Sequence, residues 1–600
     1  MSHCRFEDRL NGHARVMRGL CERITANSKE ELADAFARIE KARMTGRWIA
    51  LLLEYELGEW LEPALAHSTR TSETDTDQTP RLTALVFDSM EIQTPWETLA
   101  SDQACITSIV PDLTKPAYLE RIEKIHHWIE QGEVYQVNAT FPLQIKTVGQ
   151  AQTLYRKIAQ HHPVSFAAFI EDESRTVLSF SPELFLERRG QTLTTRPMKG
   201  TAPRAINPIE DQELGHTLQH SEKNRAENLM IVDLLRNDLG RVALPGSVQA
   251  QPLFSLEKYP SVWTMTSTIE AQIPADTSLQ KILTALFPCG SVTGAPKVAA
   301  MQRIQQTEHS PRGLYCGSLG WLAPDGDFSL NVAIRTLVLD TTGSGVYHVG
   351  GGIVHDSNAE QEWQECFWKS RILSQELPSL IETMRADPQG HIELLETHLD
   401  RLTGSAKALS FQIPSRDAIC ERIAIKVSDA LKQTSQPSDI RVRLLLNAVG
   451  ELSLETAALP ALQGTPKIGI SPVLLDSKHP LLQHKTTFRP WYTEATTWLA
   501  RHHDYFDLIF FNERDEICEG SRSNIYIKKN GEWITPALPS GLLGGAYRRH
   551  LIDTHQIKEG TLKRADLENP AAMIRLSNGL RGWFDVRFEA ASFFPGNVLP

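Results

Sequence analysis

No part of this 600-residue chain is apolar for long enough to span a bilayer; the longest run, WIALLL at Trp48–Leu53, stops at Glu54. The start, MSHCRFEDRL, lacks the basic-then-apolar order of a secretion signal, so no leader is expected. Cysteine is scarce and scattered: eight residues, at 4, 21, 105, 289, 316, 366, 420 and 518, with no CxxC pair. That spread argues against a zinc site and a disulfide framework and fits a reducing cytoplasm. Positive charge does not dominate either. With 62 Lys and Arg against 73 Asp and Glu, the net charge is −11, which argues against a nucleic-acid partner. Any attraction for anionic substrates must then be local. The phosphate-loop spacing GxxxxGK[ST] is also missing, although CGSVTGAPK (Cys289–Lys297) looks like one at first sight.

What is present is a chain too long for one core, so two or more domains are expected. The polar segment His67–Arg81 reads as a flexible loop within the first. Strand-like runs such as RTVLSFSPELFLERRG and GVYHVGGGIV are punctuated by amphipathic helices such as PAYLERIEKIHHWIEQGE and AENLMIVDLLRND. This order predicts an α+β architecture rather than regular βαβ alternation. A boundary is predicted near Ser374–Leu380, giving domains 1–375 and 376–600; no repeat relates the halves. Beyond it come a strand (LIETMRA), a DPQG turn and a helix (HLDRLTGSAKAL).

In the first half, Glu362 and Glu365 are spaced i,i+3 in NAEQEWQECFWKS, with Lys369 four residues beyond Glu365 on the same side. Taken alone, a pair of this kind reads first as a solvated helix edge. Glu227 opens the apolar part of another helix, and carboxylates converging from two helices suit Mg²⁺. Gly350, Gly351 and Gly352 end a strand where backbone can approach a ligand. Arg335, in the apolar run NVAIRT, requires an anionic partner. Lys199, in PMKGTAPR, is either a surface charge or a placed amine.

The motifs ENLMIVDLLRND, GSVTGAPK, RGLYCGSLGW and GGGIVHDSNAEQEWQE occur in that order, and the set resembles the chorismate-binding enzymes. These include anthranilate, isochorismate, salicylate and aminodeoxychorismate synthases. The resemblance is strong over residues 100–372 and implies two large sheets packed with outer helices. It implies that Glu227 and Glu365, assisted by Glu362, hold Mg²⁺. Thr293, Tyr315, Arg335, Lys369 and the Gly350–Gly352 backbone would hold the carboxylates of chorismate. A lysine at position 199, where most relatives carry a small residue, marks the aminodeoxychorismate synthase branch. Glu183 would be the general acid, and Lys199 the nucleophile at ring C2 before ammonia adds at C4. Gln136 stands where isochorismate and salicylate synthases hold a water-activating lysine, which disfavours hydroxide addition; its segment also belongs to the family's tryptophan pocket. Thr264 replaces a histidine of many relatives.

In the second half, Lys485 in LLQHKTTFRPWY, Glu519 in ICEGSRSNIYI and the turn PSGLLGGAYRRHL supply the parts that a pyridoxal phosphate site needs. With ETHLDRL they resemble class IV aminotransferases, which include aminodeoxychorismate lyase, over residues 379–600. The resemblance implies that Lys485 carries the cofactor and removes the α-proton, and that Glu519 faces the ring nitrogen. Arg401 and the Leu542–Gly544 backbone would hold the phosphate, and Asn578 and Arg581 would lie near it. A homodimer through this half is also implied.

Fusion of the two halves is expected to convert chorismate and ammonia into 4-aminobenzoate and pyruvate for folate synthesis. Two alternatives remain: an anthranilate synthase joined to a branched-chain or D-amino acid aminotransferase, and a non-catalytic chorismate or tryptophan sensor on a pyridoxal enzyme. No nucleophilic cysteine elbow with a following His–Glu pair is present, so ammonia is expected from solution or from a separate glutamine amidotransferase subunit.

Overall fold

The structure is a computed structural model, and it describes residues 3–65, 79–99, 103–205, 207–259, 262–433, 438–462 and 464–589. The predicted loop at His67–Arg81 lies largely outside them. The chain separates into two compact units, Met1–Glu376 and Leu377–Pro600. No helix among the described residues is long and apolar enough to cross a membrane.

In the first unit, backbone hydrogen bonds join 17 described strands into one network. Its interior follows from alternation: Leu52, Leu85, Phe87, Ile170, Leu319 and Trp321 meet in one core while their neighbours face away. The strands that carry chemistry are Gln136–Val148 and Ser344–Ile353, paired antiparallel so that Gly350, Gly351 and Gly352 lie opposite Thr140, Ala139 and Asn138. The helix Ala359–Lys369 follows directly, capped by Asn358, whose side chain accepts from the Gln361 N–H. The helix bearing Glu227 spans Glu222–Gly240 and is capped by Ser221, so Glu227 sits in its second turn. A separate sheet of three strands pairs Met198–Pro203 with Val262–Thr266, and that with Ser255–Lys258.

The second unit begins with strands Leu380–Ala386, Ile440–Leu446 and Leu452–Ala458, backed by helices Leu395–Ala408 and Arg416–Gln433. A larger sheet of eight described strands follows, in which Tyr505–Asn512 runs parallel to Lys467–Leu475 and antiparallel to Ile517–Gly520. Ile468, Ile509, Phe511, Ile525 and Leu576 fill its core. The Lys485 segment is tied to the first of these strands by the Ile381 N–H donating to the Lys485 carbonyl at 2.7 Å.

Candidate active sites

Lys199 does not sit on a loop. It lies within the strand Met198–Pro203 at a bulge, where the pairing with Val262–Thr266 slips between Met198 and Thr201. A bulge inserts an extra residue and re-aims the side chains beside it. Gly200, next in sequence, adopts φ +84°, a conformation strained for residues with a Cβ. Thr264, fully buried, donates to the Gly200 carbonyl at 3.3 Å and so braces the bulge from the neighbouring strand.

The bulge directs the lysine toward two other elements. Lys199 Nζ donates to the Ser291 carbonyl at 3.2 Å, and Ser291 Oγ donates to Glu183 Oε1 at 2.7 Å. Glu183, 4 % exposed, stands just before the strand Leu184–Arg189, and Ser291 lies in the turn Gly290–Val292 of GSVTGAPK. Burial raises the Glu183 pKa above the usual carboxylate range, against the Ser291 hydrogen bond and the Lys199 charge. Burial lowers the Lys199 pKa; Lys369 adds to this, and Glu183 and Glu227 oppose it. The result is an acid held toward its protonated form beside an amine held toward its neutral form.

Lys369 donates to the Gly350 carbonyl at 2.7 Å and pairs with Glu365 at 2.9 Å. A Cβ on Gly351 would stand 3.0 Å from Glu362 Oε2 and 3.4 Å from Lys369 Nζ, so this glycine opens the strand toward both groups. A Cβ on Gly352 would come within 2.6 Å of Gln136 Nε2, a buried amide nitrogen with no hydrogen-bond partner among the described residues. Burial, and then the like charges of Glu365 and Glu227, raise the Glu362 pKa. Burial also acts to raise that of Glu365, but Lys369 outweighs it and leaves the pKa lowered. Glu362 thus feels the charges of both Glu365 and Glu227, yet no set of three potential ligands among the described residues is arranged to hold a metal ion. Mg²⁺ normally takes one or two carboxylates and completes its shell with water and substrate oxygen, and this half-buried oxygen set fits that use.

Arg335 is not inside a strand. It occupies the break between Phe328–Val332 and Thr336–Asp340 at φ +51°, and forms no ion pair among the described residues. Tyr315 is buried and stacks on His348 with ring centroids 5.2 Å apart. The Thr293 hydroxyl is shared between the carbonyls of Cys289 and Gly290, each at 3.2 Å, so its role here is to close the turn.

The second unit contains a cavity of about 420 Å³ lined by Lys485, Glu519, Arg401, Tyr492, Asn524 and Ala546, among others. Burial, followed by the Arg401 charge, lowers the Lys485 pKa to about 7. Burial raises that of Glu519 to about 7, although its carboxylate accepts from the Tyr492 hydroxyl at 2.7 Å and the Leu543 N–H at 3.0 Å. Leu542 packs in an apolar core, Leu543 braces Glu519, and the Gly544 carbonyl accepts from Arg401 at 3.2 Å. Leu543, Gly545 and Ala546 all line the cavity, the last two at the start of the helix Ala546–Asp553. Asn578 lines the cavity, whereas Arg581 donates to the Pro460 carbonyl.

Two residues here escaped the sequence reading. Asp507, fully buried, accepts from the Ser521 and Arg522 N–H groups and from the hydroxyls of Ser521 and Ser523, shaping the turn after Glu519. A Cβ on Gly520 would lie 2.3 Å from it. Glu382, 2 % exposed, takes a forked bond from Arg401 at 2.9 and 2.6 Å and one from His398 Nδ1 at 2.6 Å. Burial acts to raise its pKa, but Arg401 and then His398 hold it down at about 2. An acid within the apolar strand LIETMRA, with His398 and Arg401 spaced i,i+3 on a helix, was the available signal. Glu382→Ala leaves a buried guanidinium without its counter-ion. It should cost about 3–5 kcal/mol of stability, read as a lower denaturant midpoint for the second unit in the full-length chain.

Residues 2–375 match the chorismate binding enzyme family model, and residues 379–587 match the class IV amino-transferase model. Among curated relatives, aminodeoxychorismate synthase component 1 of Salmonella typhimurium is 42% identical over 263 residues, 44% of this chain and 58% of the relative. The Escherichia coli protein of that name is 42% identical over 265 residues, again 44% and 58%. The matched part of the chain thus spans little more than half the length of these relatives. Among solved structures, anthranilate synthase component I from Streptococcus pneumoniae superposes with TM-score 0.52 at 22% identity, covering 60% of this chain and 91% of that one. A 2,3-dihydroxybenzoate-specific isochorismate synthase from Bacillus anthracis gives 0.51 at 19%, covering 62% and 95%. These two likenesses establish the fold of the first unit.

Proposed function

We propose, for a chain that belongs to the chorismate-binding enzyme family, that the first unit aminates chorismate to 4-amino-4-deoxychorismate and the second converts this to 4-aminobenzoate and pyruvate. One observation carries the reading: Lys199 and Glu183, from separate elements, meet at Ser291. A neutral amine beside a protonated buried carboxyl is the pairing that displacement of a poor leaving group requires.

Arg335, Lys369 and the Gly350–Gly352 backbone bind the two carboxylates of chorismate. The Lys199 nitrogen forms a bond to ring C2, both ring double bonds shift by one position, and the C4–O bond breaks. The hydroxyl leaves as water with the Glu183 proton, and Glu183 regains a proton from the alkylated nitrogen. Ammonia then bonds to C4, both double bonds shift back, and the C2–N bond breaks. One ammonia proton passes through Glu183 to Lys199, which restores both groups. Glu227, Glu362 and Glu365 would hold Mg²⁺, which when bound supplies positive charge for a substrate carboxylate. Gln136 offers no base for activating water, which supports amination over hydroxylation. Ammonia comes from solution or from a separate glutamine amidotransferase subunit.

In the second unit Lys485 would hold pyridoxal phosphate, with Glu519 at the ring nitrogen. Arg401 and the Gly545–Ala546 backbone would lie at the phosphate. When bound, the cofactor supplies an electron sink. The cavity supports this with a buried amine poised near neutrality, able to bind the carbonyl and to move a proton from C4 of the substrate. A homodimer through this unit is part of the proposal.

The test is mass-spectrometric product identification after incubating the protein with chorismate, ammonium, Mg²⁺ and pyridoxal phosphate. 4-Aminobenzoate and pyruvate are expected. Anthranilate or isochorismate as the main product overturns the assignment of the first unit. Accumulated aminodeoxychorismate reassigns the second unit to transamination.

A further inference from the structure

We infer that Ser291 is a positioning residue that sets the geometry and the proton affinity of Glu183 and holds Lys199 in register with it. The inference rests on the assignment of those two groups as acid and nucleophile.

Ser291 is 3 % exposed and, among the described residues, is the one bonded to both. Its two contacts use different atoms. The carbonyl accepts from Lys199 Nζ at 3.2 Å, while the hydroxyl donates to Glu183 Oε1 at 2.7 Å. The hydroxyl also lies 3.2 Å from Cys289 Sγ. Burial raises the Cys289 thiol pKa to about 12, so it remains an S–H that can donate to the serine oxygen. The direction of donation is therefore thiol to hydroxyl to carboxylate, and the serine proton has one place to go.

This arrangement acts on Glu183 in two ways. It fixes one carboxyl oxygen, which leaves the other to carry the transferred proton. It also favours the ionised form and so limits how far burial raises the pKa of the acid. Without that limit the acid would hold its proton too tightly to deliver it early in C4–O cleavage. The charged and titratable groups acting on this carboxyl are Lys199, Cys289 and Cys316; the Met198 backbone also hydrogen-bonds it. Neither thiol is ionised near neutrality, so Lys199 and Ser291 control its titration. The carbonyl contact to Lys199 survives any side-chain substitution at 291. The hydroxyl function can therefore be removed alone.

The experiment is the pH profile of ammonia-dependent aminodeoxychorismate formation by the full-length protein, for the unmutated chain, Ser291→Ala and Ser291→Thr. Ser291→Ala is expected to lower kcat by about 10–100-fold with KM for chorismate changed less than threefold. The alkaline limb, which reports loss of the Glu183 proton, should move up by about one pH unit because a bond to the ionised form is gone. Ser291→Thr keeps a hydroxyl and should restore both the rate and the limb. An unchanged denaturant midpoint of the first unit, measured in the full-length chain, reports that the variants are folded. An alanine variant with an unshifted alkaline limb, or with a raised KM as its main defect, overturns the inference. So does a folded threonine variant that restores neither rate nor limb. Failure of the underlying functional assignment appears elsewhere, as an unmutated enzyme that forms no aminodeoxychorismate, or a Glu183→Gln variant of undiminished rate.

Discussion

Replacing Lys199 by alanine is expected to lower amination of chorismate by about 10³–10⁶-fold, the range found when a covalent catalyst loses its nucleophile or the nucleophile's partner. Chorismate binding should change little, because Arg335, Lys369 and the glycine backbone remain. The loss should therefore appear in kcat, measured as aminodeoxychorismate formed from chorismate and ammonium. The pH dependence of the unmutated enzyme has a defined sign. Burial lowers the Lys199 pKa, so the neutral amine appears at lower pH than for a solvated lysine, and the acidic limb moves down accordingly. Burial raises the Glu183 pKa, so the alkaline limb moves up. Both shifts widen the range in which acid and nucleophile are in their working forms. An alanine variant with undiminished kcat would return Lys199 to the status of a pocket charge.

Lys485→Ala should abolish 4-aminobenzoate formation while amination continues, so aminodeoxychorismate accumulates. Visible absorbance from covalently held pyridoxal phosphate should vanish, and borohydride treatment should no longer attach the cofactor. The unmutated protein should load cofactor with a rate that rises through about pH 7, where burial and Arg401 place the Lys485 pKa, rather than near 10, where a solvated lysine titrates. The amine must be neutral to attack the carbonyl, so loading is slow below that pH and fast above it. Persistence of 4-aminobenzoate in the alanine variant would move the second reaction away from this cavity.

Much of both sites was legible because the residues lie in contiguous motifs. GSVTGAPK, GGGIVHDSNAEQEWQE and ICEGSRSN each hold several functional groups within a few residues, and a short motif fixes local spacing whatever the remainder does. Architecture was legible for a related reason, since alternation and helical period report which faces are buried. Legibility ended where contacts cross long separations. Ser291 and Glu183 are 108 residues apart in sequence. Glu382 and Arg401 come from a strand and a helix whose packing no local pattern states. Arg335 lies in an apolar run that reads as strand, yet its φ of +51° places it at a break.

By itself, then, the sequence determined the two-part organisation and the α+β class, while the family entered through the resemblance that its ordered motifs carry. Composition, periodicity and motif spacing are local quantities, and they carry that information. Only the tertiary structure decided which groups touch. It put Lys199 on a bulge beside Ser291, raised Glu183 and lowered Lys485 by burial, and set Leu543, Gly545 and Ala546 along the second cavity. Proton affinity and hydrogen-bond partnership depend on desolvation and on neighbours brought from distant segments, and those exist only once the chain has packed.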